Sequence, residues 1–144
     1  VKVEVLDRVE TGWWDDLVRS HAQGTIYQTS RYAEFARRYY GARPFFLLAR
    51  DNGAVAGQLL VFDMGRFPDR DAARPWRTRL KAPLNRLLRA FRWYDGPLVF
   101  EPADPAVVLA ALLAETDALA GRHRVAQLAH GALPAVPGAK SPPV

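Results

Sequence analysis

Residues 45–62, FFLLARDNGAVAGQLLVF, are two apolar runs on either side of Asn52-Gly53. Asn-Gly readily takes the positive φ angles of a type I′ turn, whose twist matches that of paired antiparallel strands. The stretch therefore predicts a β-hairpin, with strands at about 45–50 and 54–63. Gly57, inside the second run, marks a bulge or a close backbone approach.

Upstream, VKVEVLDRV (1–9) alternates apolar and polar residues, the pattern of a half-buried strand. Thr11 is placed to cap a helix from Gly12 to about Ala22, with Trp14, Leu17, Val18 and His21 on one face. His21 at the end of that face reads as a packed edge residue, and Asp15-Asp16 as a charged helix edge. Gly24 breaks the helix and TIYQT (25–29) runs extended. Ser30 is the expected N-cap of a second helix, in which Tyr32, Phe35, Ala36 and Tyr39 share a stripe before Gly41 ends it.

Downstream of the hairpin, Arg66–Arg92 holds nine basic and two acidic residues, a local balance of +7; the rest of the chain carries −2. Leu80, Leu84, Leu87, Leu88 and Phe91 fall at helical spacing opposite Arg79, Lys81, Arg86, Arg89 and Arg92, and Pro83 limits a regular helix to about 83–91. These five cations are the candidates for contact with an anionic surface, unless the segment only reflects a general abundance of Arg. RWYDGPLVFE (92–101) predicts a strand entered through Gly96-Pro97. Asp104 and Pro105 are a helix start as N-cap and N1, with Val108, Leu109, Leu112, Leu113 and Thr116 on one face and Gly121 at the end. RVAQLAH (124–130) offers a last short strand, and 131–144 is a Pro/Gly/Ala-rich stretch expected to be irregular.

The order β-α-α-β-β-(basic insert)-β-α-β implies a mixed α/β sheet flanked by helices. At 144 residues the chain is one domain's worth, here 1–130. It has no Cys, which excludes disulfides, thiolate metal sites and a Cys nucleophile. No Gly-rich phosphate loop and no nucleophile elbow is present. His123 and His130 lack a carboxylate partner pattern, so no metal is expected. No apolar run approaches the roughly 18 residues of a membrane span.

WWDDLVRSHAQGTIYQTSRYAEFARRYYG (13–41) resembles the opening of FemAB-like proteins, the peptidoglycan interpeptide-bridge (lipid II) aminoacyltransferases and their envelope relatives. The shared features are a Trp-bearing first helix, an aromatic-Gln-polar-polar step and a second helix with an early aromatic, here Tyr32. The hairpin with its Ala56-Gly57 step resembles theirs, and Tyr94–Pro97 resembles their Tyr-x-Gly-Pro strand. The likeness runs over about 10–130.

The resemblance implies a GNAT-like (acyl-CoA N-acyltransferase-type) fold, and the chain would then be the first half of a two-domain transferase. It implies a cytoplasmic bacterial acyl- or aminoacyltransferase at the inner face of the membrane. Such an enzyme moves an amino acid from aminoacyl-tRNA to a lipid-linked peptidoglycan or polysaccharide precursor. Tyr27, Gln28, Arg37, Arg38 and Tyr94 are the implied substrate contacts. Gln28 is also read as an amide tying loop backbone to the core. The family's phosphate-binding Lys falls at Ala36, with Arg37 and Arg38 beside it. No catalytic residue is assigned. No resident cofactor is expected; the acyl donor is aminoacyl-tRNA or acyl-CoA. A self-contained CoA-dependent N-acetyltransferase is a further reading, against which no Gln/Arg-x-x-Gly-x-Gly/Ala loop precedes a helix to hold CoA pyrophosphate.

Three expectations follow. The chain binds CoA poorly; it self-associates or docks a second domain; and residues 77–92 lie on an anionic membrane surface or on tRNA phosphates, unless they form a helix packed on the chain's own sheet with its arginines solvated. The other class of function is a non-catalytic module recruiting a lipid-linked precursor or a partner protein.

Overall fold

The computed structural model describes residues 1–65, 83, 88–125 and 127–130. Its frame is the expected hairpin. β2 (Arg43–Asp51) and β3 (Ala54–Gly65) pair antiparallel through Asn52 and Gly53, whose φ angles of 49° and 86° are those the turn requires. β1 (Lys2–Leu6) adds antiparallel to the outer edge of β2. The other edge of β3 is shared by β4 (Arg89–Trp93), which pairs with its end, and β5 (Leu98–Val99), which pairs with Gly57 and Gln58. β6 (Gln127–His130) runs parallel to β4, completing a mixed sheet in the order β1-β2-β3-β4-β6. The predicted element order is observed, with the strand after the basic segment split in two.

Two helices cover one face and a third covers the other. Helices α1 (Thr11–Ser20) and α2 (Ser30–Tyr40) are joined by a 3₁₀ turn at Ile26–Gln28. They enclose Trp14, Val18, Ala33 and Ala36 with Phe46, Leu48, Leu60, Phe62 and Met64 of the sheet. On the far side α3 (Pro105–Arg122) lays Val108, Leu112 and Leu119 on Phe45, Leu47, Leu59, Val61 and Phe91. The alternation of odd and even residues along β2 and β3 sorts these two sets.

Gly57 serves both of its expected roles. The register slips beside it, Ala49 facing Gly57 while Arg50 faces Val55, so Ala56 is the extra residue of a bulge. A Cβ on Gly57 would lie 2.5 Å from Val108 Cγ1 and 2.9 Å from the Leu98 carbonyl oxygen, so its absence lets α3 sit close to the sheet.

Four sequence expectations are corrected. Residues 89–91 are strand, not the end of a helix from Pro83: the leucine and arginine spacing is helical, but Phe62–Gly65 need ladder partners and Arg89–Arg92 supply them. Thr29, not Ser30, caps α2, its hydroxyl accepting the Tyr32 N–H at 3.1 Å. Glu10 precedes α1 as its N-cap, without a side-chain bond, and Thr11 is already helical. The buried stripe of α2 is Ala33 and Ala36, flanked by Tyr32 and Tyr40; Phe35 and Tyr39 are 47% and 62% exposed. Small residues bring the helix down onto the sheet, and its large aromatics are left at the sides and outside. Arg79, Lys81, Arg86 and the stretch 131–144 lie outside the described residues.

Candidate functional site

The polar chemistry gathers where the α1–α2 connection meets the break between β4 and β5. Two extra residues separate these strands relative to β3, so Tyr94–Pro97 bulges out of the ladder toward the helices. Gln28 receives it. The Gln28 side chain is buried, its Oε1 accepting the Thr25 N–H at 2.8 Å and its Nε2 donating to the Gly96 carbonyl at 2.7 Å. Its own carbonyl accepts the Trp14 indole N–H at 2.9 Å. Thr25 also donates its hydroxyl proton to the Asp95 carboxylate. Of the two readings of Gln28, the geometry displays the tie between loop backbone and core: both ends of the amide are engaged by backbone groups. Such buried polar networks fix one arrangement because any broken member leaves an unpaired polar atom.

Tyr27 and Tyr94, the other two predicted contacts here, come together around Tyr32. The Tyr27 ring lies 5.0 Å from Tyr32 and 6.3 Å from Tyr94, and Tyr32 and Tyr94 meet edge to face at 5.7 Å above Phe62. Burial first, and the neighbouring phenols of Tyr94, Tyr40 and Tyr27 after it, push the Tyr32 phenol above its ordinary range. Tyr32 therefore stays protonated and serves as a neutral hydrogen-bonding group.

Arg37 and Arg38 are elsewhere. They point out from α2 and share the Glu34 carboxylate, at 2.9 Å and 2.6 Å. These two guanidiniums hold the Glu34 carboxyl down at about 2. With Arg8, Thr11, Ser30 and Phe46 they line a cleft of about 720 Å³ between the start of α1, α2 and β2. A second concavity, of about 590 Å³, opens on the other flank of α2 and includes Val18, Ile26, Tyr27, Tyr32 and Phe35. The five predicted contacts thus divide into Tyr27, Gln28 and Tyr94 on one side and Arg37 and Arg38 on the other. The Ala36 position is turned into the core, 1% exposed.

Two acidic residues are buried: Asp15, expected on a charged helix edge, and Asp63, which the sequence reading did not single out. Asp15 is buried and accepts the Ser30 N–H at 2.6 Å, holding the start of α2 from α1. Its place between Trp14 and Val18, on the border of the apolar face, was the available signal. Asp63 is buried in β3 and takes both ends of the Arg89 guanidinium, one at 3.0 Å. Arg89 is thereby committed to the sheet, and Arg92 is half-buried beside it. His21 packs as expected, its Nε2 2.9 Å from the Val99 carbonyl and its ring edge-on to Phe100.

A fold of this type raises the question of CoA, and the start of α3 answers it. A pyrophosphate bound there needs free N–H groups and no competing negative charge. Here Asp104 accepts the Ala106 N–H at 2.9 Å, Pro105 at the first helical position has no N–H, and exposed Glu101 adds a second carboxylate. These residues do not fit a CoA pyrophosphate. Among the described residues no group of three or more acidic or histidine side chains is placed to hold a metal ion, and no helix is long and apolar enough to cross a membrane.

No protein-family model matches the chain, and no curated protein matches it by sequence. Solved structures do match. A ribosomal-protein-alanine N-acetyltransferase from Brucella melitensis biovar Abortus 2308 is 18% identical, with a TM-score of 0.55 over 95% of this chain and 83% of that one. A probable acetyltransferase is 13% identical, with a TM-score of 0.55 over 92% and 80%. An aminoglycoside acetyltransferase from an uncultured soil metagenomic sample is 15% identical, with a TM-score of 0.55 over 94% and 82%. The chain has the mixed, helix-flanked sheet of the GNAT-type acetyltransferases.

Proposed function

We propose that this chain is the GNAT-like domain of a FemAB-type transferase, passing an amino-acyl or acyl group to an amine on a cell-envelope precursor. The observation that carries the reading is a GNAT-type sheet whose α3 start is closed by its own Asp104 carboxylate. Acyl transfer with the CoA pyrophosphate seat closed calls for an activated donor of another kind, for which aminoacyl-tRNA is the natural candidate. The resemblance over residues 10–130 supports the same choice. Transfer then depends on holding the acceptor amine beside the activated ester and on stabilising charge on the carbonyl oxygen. The phenol groups of Tyr27, Tyr32 and Tyr94, grouped beside the Gln28 bonds, are suited to orienting polar substrate groups. The basic segment 66–92 supplies attraction for phosphates of tRNA or of an anionic membrane surface.

The test is a transfer assay with labelled aminoacyl-tRNA or acetyl-CoA as donor and a lipid-linked peptidoglycan precursor as acceptor. Labelled precursor is expected from aminoacyl-tRNA alone. Acetylation from acetyl-CoA at a comparable rate contradicts the reading.

A second reading is favoured by one observation. The Gln28 amide and the Arg37 and Arg38 guanidiniums are all engaged within the protein. A non-catalytic module that recruits the precursor needs no more than surface complementarity. Saturable precursor binding without turnover under any donor would select it.

A further inference from the structure

We infer that the concavity between the end of α1, the 3₁₀ turn and the start of α2 is a binding pocket for a small amphipathic anion. The ligand class is one aromatic or branched aliphatic group bearing a carboxylate, and Arg31 is its counter-ion. The inference needs only the pocket and not the transfer reaction.

The volume of about 590 Å³ lies within the roughly 300–1,000 Å³ range of small-molecule pockets. Much of its lining is apolar or aromatic, from buried Val18 to Tyr27, Tyr32 and the exposed Ile26 and Phe35. Ile26 is 67% and Phe35 47% exposed, an arrangement that costs free energy in water and is relieved by an apolar occupant. The walls are fixed in advance. Tyr27 leans on Tyr32, Tyr32 on Phe35 at 5.8 Å, and the 3₁₀ turn is held by the Gln28 bonds. Little ordering is then left for binding to cost.

Charge selects the ligand's other end. Asp15 at the pocket is engaged by the Ser30 N–H, and Arg19 by Asp16. Arg31, exposed at the pocket in the first turn of α2, has no carboxylate partner among the described residues. A guanidinium beside an apolar cavity matches a carboxylate in the same molecule as the apolar group, by paired N–H···O bonds.

The experiment uses 8-anilino-1-naphthalenesulfonate as an aromatic anion, N-phenyl-1-naphthylamine as its neutral counterpart and 2-naphthoate as a competitor, with light scattering alongside. Saturable 1:1 binding of the anionic dye and displacement by 2-naphthoate are expected. Arg31→Gln should weaken the anion by about tenfold, the loss of one charge-assisted contact, and leave the neutral dye unchanged. Phe35→Ser should weaken both dyes by about tenfold or more. Both residues are exposed, so circular dichroism is expected to show unchanged folding; Ile26→Ser is a further variant of the same kind. Absence of saturable binding, or binding indifferent to both substitutions, overturns the proposal. So does a dimer that Phe35→Ser dissociates, which would make a second copy the occupant. Because no transfer is measured, these outcomes leave the acyl-transfer reading untouched.

Discussion

The two faces of the sheet are built on different principles. Under α3 the packing is apolar and close, with the Asp63–Arg89 ion pair on the same side: Val108 and Leu112 sit on Gly57, and Thr116, the one buried polar side chain of that helix, returns its hydroxyl to the Leu112 carbonyl at 2.8 Å. Under α1 and α2 the core is threaded by polar groups: the Gln28 amide, the Asp15 carboxylate and the Trp14 indole. Gln58 also lies on that side, by its alternation with Leu60 and Phe62, and neither end of its amide has a partner among the described residues. Close aliphatic packing gives stability, whereas a polar network specifies one geometry at some cost in stability. The difference assigns close-packed support to the α3 face and the fixing of the loop around Gln28 and Gly96 to the other.

Breaking the α3 face should cost most. Gly57→Val drives a side chain into Val108 and the Leu98 carbonyl, and a loss of about 3 kcal/mol is expected from overpacking. Urea denaturation measures it, and a loss below about 1 kcal/mol would mean that α3 shifts freely on the sheet. Gln28→Ala attacks the other face. It strands the Thr25 N–H and the Gly96 carbonyl, for an expected cost of about 2 kcal/mol. Near-ultraviolet circular dichroism should change with it, since the tyrosine cluster loses its support; an unaltered tyrosine signal would separate Gln28 from that cluster.

Gln58→Leu sharpens the contrast by its sign. Removing an unpartnered buried amide should stabilise the protein by about 1 kcal/mol. Destabilisation on the same urea curves would show that the amide has a partner in solution. The smallest effect is one of pH. Burial, with Arg43, Arg89 and Arg122 after it, lowers the affinity of His123 for a proton. The unfolded chain then binds the proton more readily, so stability is full above about pH 6.5 and falls as pH drops below it. His123→Gln should flatten that part of the profile; an unchanged slope would assign it to other groups.

How legible these faces were in the sequence depended on where the signal lay. The hairpin was plain because Asn52-Gly53 is a local instruction bounded by apolar runs, and Asp104-Pro105 marked α3 equally well. The phase of α2 was misjudged because hydrophobic size points to Phe35 and Tyr39, whereas close packing on a sheet selects Ala33 and Ala36. β4 was concealed within a stretch of helical leucine spacing, since its pairing with Phe62–Gly65 is a long-range choice that no local window contains. Of the expected contacts, Tyr27 and Tyr94 lie ring beside ring, and Gln28 bonds the Gly96 carbonyl in the same loop as Tyr94. Asp15 reads in the sequence as a charged helix edge, and Thr25 and Asp95 were not singled out, because a buried carboxylate looks like a surface one until its hydrogen bonds are known.

On a sheet of the fold seen in GNAT-type acetyltransferases, the start of α3 in this chain is occupied by its own Asp104 and does not suit a CoA pyrophosphate. Isothermal titration of CoA into the protein tests it most directly. With Asp104 on the Ala106 N–H, Pro105 at the first position and Glu101 alongside, no saturable heat is expected up to millimolar CoA. A 1:1 isotherm with micromolar affinity would contradict the claim and return the chain to acyl-CoA chemistry.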